Sequence, residues 1–274
     1  MKRIVTMQDI SCLGKCSLTV IHPVISAMGV ECAVLPTALL STHTAFPAPA
    51  VTELTGCVRP ILDHWQTIGA GFDGILTGYL ASEEQAALAL ELIDRFGENA
   101  ILVHDPAMAD HGRLYAGISP KMVDAHRELC RRADLVIPNL TEACLLTGRS
   151  YSADIQVSEV EEMLRELFSW CGKFAFITGV HDGNSLGAIG YDGKSFHRSF
   201  MPQVEIVCAG TGDILSAAFL GAVMRGAEYK MALDIAVGFT QHAVQLTAAD
   251  PDRRFYGVNF EPALPDFIRR ISEL

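Results

Sequence analysis

Gly210-Thr211-Gly212-Asp213 stands directly before an apolar, helix-forming run: Ile214, Leu215, Ala217, Ala218, Phe219, Leu220, Ala222 and Val223. Two glycines let successive backbone N–H groups turn toward one point. A helix starting there adds its unpaired N–H groups and the positive end of its dipole. The turn can therefore hold an anion such as a phosphoryl group in transfer, with Asp213 beside it as a base. Asp is also a favoured N-cap and glycine a common turn former, so the tetrapeptide alone leaves a plain capping role open.

The chemistry that suits such a turn is phosphoryl transfer to an alcohol. A base takes the hydroxyl proton, N–H groups hold the charge spreading over the phosphoryl oxygens, and a divalent metal neutralises the triphosphate. Asp213 supplies the base, and Gly210, Thr211 and Gly212 supply the anion hole. Asp105 and Glu142 are the carboxylates best placed to order magnesium, through waters, because magnesium keeps much of its hydration shell. Each has a bland alternative: Asp105 caps a turn with Pro106, and Glu142 is a first-turn helix acid.

These residues need a frame that brings them together. The 274 residues, half of them hydrophobic, suffice for a large α/β core, and no linker divides residues 1–274, which predicts a single domain. Short β-branched runs alternate with helical patterns. The strand candidates are Ile4–Met7, Cys32–Leu35, Gly74–Leu76, Ile101–Val103, Leu135–Ile137 and Phe174–Ile177. The best marked helix begins at Ser82, capped by its hydroxyl with Gln85 reaching back, and stops near Gly97. This alternation predicts a mostly parallel sheet with helices on both faces. Asp182-Gly183 and Asp192-Gly193 flank Leu186–Tyr191, which predicts an antiparallel meander at one edge.

Against those strands, Gln8 and Asp9 follow the first, Thr77-Gly78-Tyr79 the third, His104-Asp105-Pro106 the fourth, Pro138-Asn139 the fifth and Thr178-Gly179 the sixth. All fall at carboxyl ends, the edge where open parallel sheets bind ligands. His111 to Ser119, rich in glycine and polar residues, is the candidate flap over a nucleotide.

The formal charge of −11, from 21 basic and 32 acidic residues, argues against nucleic acid or an anionic membrane as the main partner. The start reaches polar residues too soon for a signal peptide, and the longest apolar stretch, Ile214 to Met224, is too short to span a bilayer. A cytoplasmic protein is expected. Eight cysteines without a C-x-x-C pair are then expected to be reduced, mostly buried thiols.

Gly210-Thr211-Gly212-Asp213 with Pro138-Asn139-Leu140-Thr141-Glu142 upstream resembles the ribokinase-like superfamily, and within it the pyridoxal (vitamin B6) kinases. Ser41-Thr42-His43-Thr44 is similar to their S-N-H-T segment, Thr77-Gly78-Tyr79-Leu80 to S-G-Y-L, and Asp105-Pro106-Ala107-Met108 to D-P-V-M. The resemblance implies a three-layer ribokinase-like fold without a separate lid domain. It implies ATP-dependent phosphorylation of the hydroxymethyl group of pyridoxal, pyridoxine or pyridoxamine, with magnesium, a monovalent cation such as potassium, and a homodimer. It places Gln8, Asp9, Ser11, His43 and Tyr79 at the substrate, Asn139, Glu142, Thr178 and Gly179 at the nucleotide, and Asp105 with Glu142 at the metal.

Departures from that family are equally specific. B6 kinases often carry Ser after the glutamine of the first strand, where it meets the pyridine ring; here Gln8 is followed by Asp9. That Asp either pairs with a protonated pyridine nitrogen or a ligand amine, or caps the following turn. The loop Ser11–Ser17 also differs, and its Lys15 has no counterpart. His43 either lines the ring pocket or only bonds its own loop, and Tyr79 is either a pocket wall or a packed loop aromatic. Hydroxymethylpyrimidine kinase shares the fold and a similar substrate, but many such enzymes have Cys at the position of Asp213. A binding protein of this fold without turnover is the alternative of another class; the joint presence of Asp213, Glu142 and Asp105 argues against it.

Overall fold

The computed structural model describes residues 1–273. Eleven strands run β1 Arg3–Ser11, β2 Glu31–Leu40, β3 Val51–Glu53, β4 Gly74–Thr77, β5 Ile101–His104, β6 Ala109–Asp110, β7 Arg113–Leu114, β8 Leu135–Val136, β9 Phe174–Asp182, β10 Ser185–Tyr191 and β11 Phe196–Pro202. Nine α-helices alternate with them: α1 Leu18–Ala27, α2 Thr55–Thr67, α3 Glu83–Phe96, α4 Met122–Arg132, α5 Leu140–Thr147, α6 Val157–Cys171, α7 Thr211–Met224, α8 Tyr229–Ala249 and α9 Leu264–Ile271.

Nine strands form one sheet in the order β11-β10-β9-β8-β5-β4-β1-β2-β3. From β2 to β9 every pairing is parallel, while β3 at one edge and β10 and β11 at the other run antiparallel. The expected edge meander is therefore β9-β10-β11. The two short elements β3 and the β6-β7 hairpin carry no hydrophobic period and were not anticipated.

Side-chain alternation along the strands builds a core on each face. Val5, Ile75, Ala175 and Ile177 pack under α2 to α6, whereas Ile4, Leu76, Phe174 and Phe176 pack under α1, α7, α8 and α9. Helix α7 is apolar on nearly every side because it is a central helix of its layer. Its Phe219 sits 4.7 Å from Phe176 and 6.1 Å from Phe174, centroid to centroid. Truncating such a ring costs about 3–5 kcal/mol, so this stack fixes where α7 begins.

Local signals decide the helix starts. Ser82 caps α3 by accepting from the Gln85 N–H, and Gly97 ends it, but the Gln85 side chain reaches Ala81 rather than the cap itself. Strand β1 continues past Met7 through a bulge between Gln8 and Ile10, because β2 pairs with it as far as Leu40. Gln8, Asp9 and Ser11 thus belong to the strand and do not follow it. All eight cysteines are free, but only Cys130, Cys144 and Cys171 are buried, so the expectation of mostly buried thiols is corrected. Among the described residues no helix is long and apolar enough to cross a membrane.

Candidate active site

Helix α7 opens at Gly210, whose φ of 82° lies in the left-handed region. A Cβ there would stand 2.0 Å from the backbone oxygen of Lys15, so the turn admits only glycine. The first backbone bond is from the Ile214 N–H to the Gly210 oxygen, 3.1 Å. The N–H groups of Thr211, Gly212 and Asp213 precede it and have no intrahelical acceptor.

Asp213 is partly buried beside these groups. Burial pushes its carboxyl up to about 7; the Ser17 backbone N–H opposes this, and the charges of Asp105 and Asp9 add to it. One turn further along α7, Ser216 donates to Asp105 Oδ2 at 2.5 Å. Asp105 is itself raised to about 6, again chiefly by burial, with the Ser216 bond working against the shift. Residues three apart share a helix face, so α7 sets the base and the β5 carboxylate side by side.

Glu142 lies behind them, 2% exposed. Its Oε1 accepts from the Met108 and Ala109 N–H groups at 3.0 and 3.3 Å, and its Oε2 from the Asn139 N–H at 2.8 Å. Asn139 answers by accepting from the Glu142 N–H at 3.0 Å, a reciprocal capping box, and donates to the Ala109 oxygen at 2.7 Å. Burial first and the charge of Asp105 second hold the Glu142 carboxyl well above the usual range. Two carboxylates that repel each other at a ligand edge suit a divalent cation. Among the described residues no three His, Cys, Asp or Glu side chains make a ready metal cage, so such an ion would need waters or phosphate to complete its shell.

The nucleotide candidates lie next along the edge. Thr178 donates its N–H to the Pro138 oxygen at 3.0 Å, and Thr178 pairs with Ala188 whereas Val180 pairs with Gly187. Gly179 is the extra residue of this bulge, with φ 73°, and its backbone faces solvent.

On the other side of Asp213 is a second polar group. Asp9, 4% exposed, accepts from Ser11 Oγ at 3.2 Å; burial raises its carboxyl, and the Ser17 and Ser11 hydroxyls oppose the shift. His43 and Tyr79 are close enough to Asp9 for charge to act between them. The His43 Nδ1 accepts from the Ala45 N–H at 2.9 Å, which places the ring proton on Nε2 as an available donor. Burial lowers the His43 pKa, with Asp9 opposing. Gln8 does not join this group: its Nε2 donates to Thr6 Oγ1 at 2.7 Å, and its Oε1 packs against Gly78.

Ser17 links the two clusters. Its backbone takes φ 50°, a conformation uncommon for serine, and its hydroxyl favours the charged form of Asp9 while its backbone favours that of Asp213. Sequence reading missed Ser17 and Ser216, although Ser17 is a favoured residue type at the start of the α1 pattern. It also missed Tyr115 of the candidate flap, whose hydroxyl is raised by burial and by the charges of Glu142, Asp110, Asp105 and Asp213.

The model of the phosphomethylpyrimidine kinase family matches residues 24–259. The chain belongs to that family. The match takes in His43, Tyr79, Asp105, Asn139, Glu142, Thr178 and Asp213 and leaves out Gln8, Asp9 and Ser11. Among solved structures of phosphomethylpyrimidine kinase-like chains, a Bacteroides thetaiotaomicron protein provisionally given that name and crystallised with pyridoxal is 32% identical. Its TM-score is 0.92, over 97% of this chain and 95% of that one. Pyridoxal kinase from Lactobacillus plantarum is 30% identical with a TM-score of 0.93, over 100% and 99% of the two chains. The pyridoxine/pyridoxal/pyridoxamine kinase of Bordetella avium is 26% identical over 259 residues, 89% of this chain and 85% of its own. The fold is the ribokinase-like α/β fold expected from the sequence.

Proposed function

We propose that this protein is an ATP-dependent kinase of vitamin B6, transferring a phosphoryl group to the hydroxymethyl group of pyridoxal, pyridoxine or pyridoxamine. The observation that carries the reading is Asp213. A carboxylate titrating at about 7 beside the unpaired N–H groups of a helix start combines a base matched to neutral pH with an anion hole. The likeness to a pyridoxal-bound structure and to a pyridoxal kinase supports the choice of acceptor.

In this reading Asp213 takes the hydroxymethyl proton as the oxygen attacks. The N–H groups of the Gly210-Thr211-Gly212 turn hold the transferring phosphoryl. Magnesium, when bound with ATP, would neutralise phosphate charge; Asp105 and Glu142 would hold its waters, since both Glu142 oxygens already accept backbone N–H groups. His43 and Tyr79 wall the ring pocket, and Thr178 with Gly179 lies at the nucleotide. A potassium ion, a homodimer, a cytoplasmic setting and one catalytic domain over residues 1–274 complete the proposal.

The test is ADP formation with magnesium-ATP and potassium, comparing the three B6 vitamers and hydroxymethylpyrimidine, with Asp213→Asn as blank. Turnover of a vitamer that drops about 10²-fold or more in the blank is expected, because only the proton acceptor is lost. Near-normal turnover by Asp213→Asn would remove it as the base. The family description favours a second reading, phosphorylation of a hydroxymethylpyrimidine, and a dominant signal from that substrate would establish it.

A further inference from the structure

The loop Ser11–Ser17 carries one charged side chain, Lys15, to which phosphoryl transfer assigns no task. Its backbone oxygen stands between two glycines: a Cβ on Gly210 would lie 2.0 Å from it and a Cβ on Gly257 3.1 Å. Gly210 is the residue at which the glycine turn becomes α7. The Lys15 N–H donates to the Tyr256 oxygen at 3.4 Å, and its ammonium donates to Glu261 Oε2 at 2.8 Å and to Asn259 Oδ1 at 3.1 Å. Asn259 is in turn fixed to the end of α8, donating its side-chain N–H to Asp250 Oδ2 and its backbone N–H to Thr247 Oγ1, both at 2.8 Å. Helix α8 packs on α7 in the same layer, so the path closes: from the start of α7 to Lys15, to Asn259, to the end of α8 and back to α7. The ion pair itself is a poor source of stability, because the Glu261 side chain is 52% exposed and water screens it. Its effect is on position, since the Lys15 side chain is packed down to 17% exposure with its ammonium 5.8 Å from the Phe260 ring centroid.

We propose that Lys15 is a positioning residue for phosphoryl transfer, an inference that rests on reading the Gly210 turn as a kinase anion hole. Held at its ammonium by Glu261 and Asn259, Lys15 keeps its carbonyl against Gly210 and so sets where Thr211, Gly212 and Asp213 present their N–H groups. It acts through Gly210 and needs no contact with substrate or phosphate. Those N–H groups count most when charge has spread over the transferring phosphoryl, so displacing them lowers kcat and leaves ground-state binding nearly intact. A tie that served the fold alone would lower the melting temperature and leave kcat where it was.

Steady-state ADP release by Lys15→Met, which keeps an unbranched stem and removes the charge, tests this. Its kcat is expected to fall about 10-fold or more, with KM for the vitamer and for ATP within about threefold of wild type. Glu261→Gln cuts the same tie from the other side and should lower kcat about 3- to 10-fold, and the double variant should be no slower than Lys15→Met alone. A Lys15→Met kcat within about threefold of wild type overturns the proposal, as do KM increases that match the kcat loss, or losses that multiply in the double variant. Hydrogen exchange gives a readout free of turnover. The Ile214 N–H, bonded to the Gly210 oxygen at 3.1 Å, should exchange about 10-fold faster in Lys15→Met, while Ala86 in α3 is unaffected; unchanged exchange at Ile214 overturns the proposal. Wild type that phosphorylates no vitamer and no hydroxymethylpyrimidine would remove the kinase reading, and exchange at Ile214 would then alone decide whether Lys15 holds the start of α7. If thermal unfolding shows that Lys15→Met is not folded, Glu261→Gln carries both comparisons with the same outcomes.

Discussion

Replacing Gly210 by alanine adds one methyl group, and the surroundings of that methyl allow its effect to be worked out. The backbone oxygen of Lys15 would lie 2.0 Å from the new carbon, against an ordinary contact of 3.4 Å, so one of the two must retreat by about 1.4 Å. Lys15 has little room to yield. Its Cβ already packs 2.4 Å from where a side chain on Gly257 would begin, its N–H donates to the Tyr256 oxygen, and its ammonium is held by Glu261 and Asn259. The helix start is therefore the part that moves. Holding alanine at φ 82° costs about 1–2 kcal/mol, and relieving the clash costs about 1–3 kcal/mol more. The sum, about 2–5 kcal/mol, corresponds to a melting temperature roughly 5–15 °C lower in a chain of this size. A displacement near 1 Å at the anion hole is expected to reduce turnover about 10²-fold. Differential scanning calorimetry and steady-state ADP release read the two effects. Gly212→Ala is the control: a Cβ there meets nothing within 4 Å, and its φ is not left-handed. That variant should melt at or slightly above the wild-type temperature, since alanine is the better helix former by about 1 kcal/mol. A Gly210→Ala protein that melts within about 2 °C of wild type and turns over within about threefold would refute the close Lys15 contact.

Two further outcomes follow from the carboxylates. Because burial raises Asp213 to about 7, kcat/KM should climb with pH and level off above that value as the base deprotonates, a limb absent in Asp213→Asn. For stability the sign is set by the same elevation: the fold favours the protonated carboxyl, so its contribution is fully present below the unfolded value and lost as pH rises through about 7. Asp213→Asn should accordingly melt above wild type at pH 8, with the gap closing as pH falls toward 4. Glu142→Gln should lower the melting temperature even without ligands, since a carboxylate that accepts three backbone N–H groups becomes an amide that can accept fewer. A loss of about 0.5–1.5 kcal/mol per hydrogen bond is the relevant scale. Hydrogen exchange should quicken at Met108 and Ala109, and an unchanged melting temperature would mean that these bonds are dispensable.

Periodic features were the most legible. Apolar runs such as Phe174–Ile177 announce buried parallel strands, and Ser82 with Gly97 brackets α3 to the residue. That Asp105, Asn139 and Thr178 share one edge follows from the parallel β-α alternation, whereas Asp213 is brought beside Asp105 by α7, whose Ser216 donates to Asp105. What was hidden depends on tertiary partners. The first strand was expected to stop at Met7, because only pairing with β2 as far as Leu40 carries it through a bulge to Ser11. The N-x-x-E pattern of Asn139 and Glu142 suggested ligand chemistry, yet it is also a complete capping box that ties the Met108–Ala109 backbone to α5. No local pattern distinguishes these uses. Ser216 was invisible as a site residue because its task, holding Asp105, is defined 111 positions away in sequence.

Ser17 acts on two carboxylates at once, Asp9 and Asp213. At a φ of 50° this one residue favours the charged form of Asp9 through its hydroxyl and that of Asp213 through its backbone. Any replacement that lets residue 17 relax toward an extended backbone would weaken both influences together. The two carboxylates would then lose that support in step, and a compensating change at either one alone could not restore it to both.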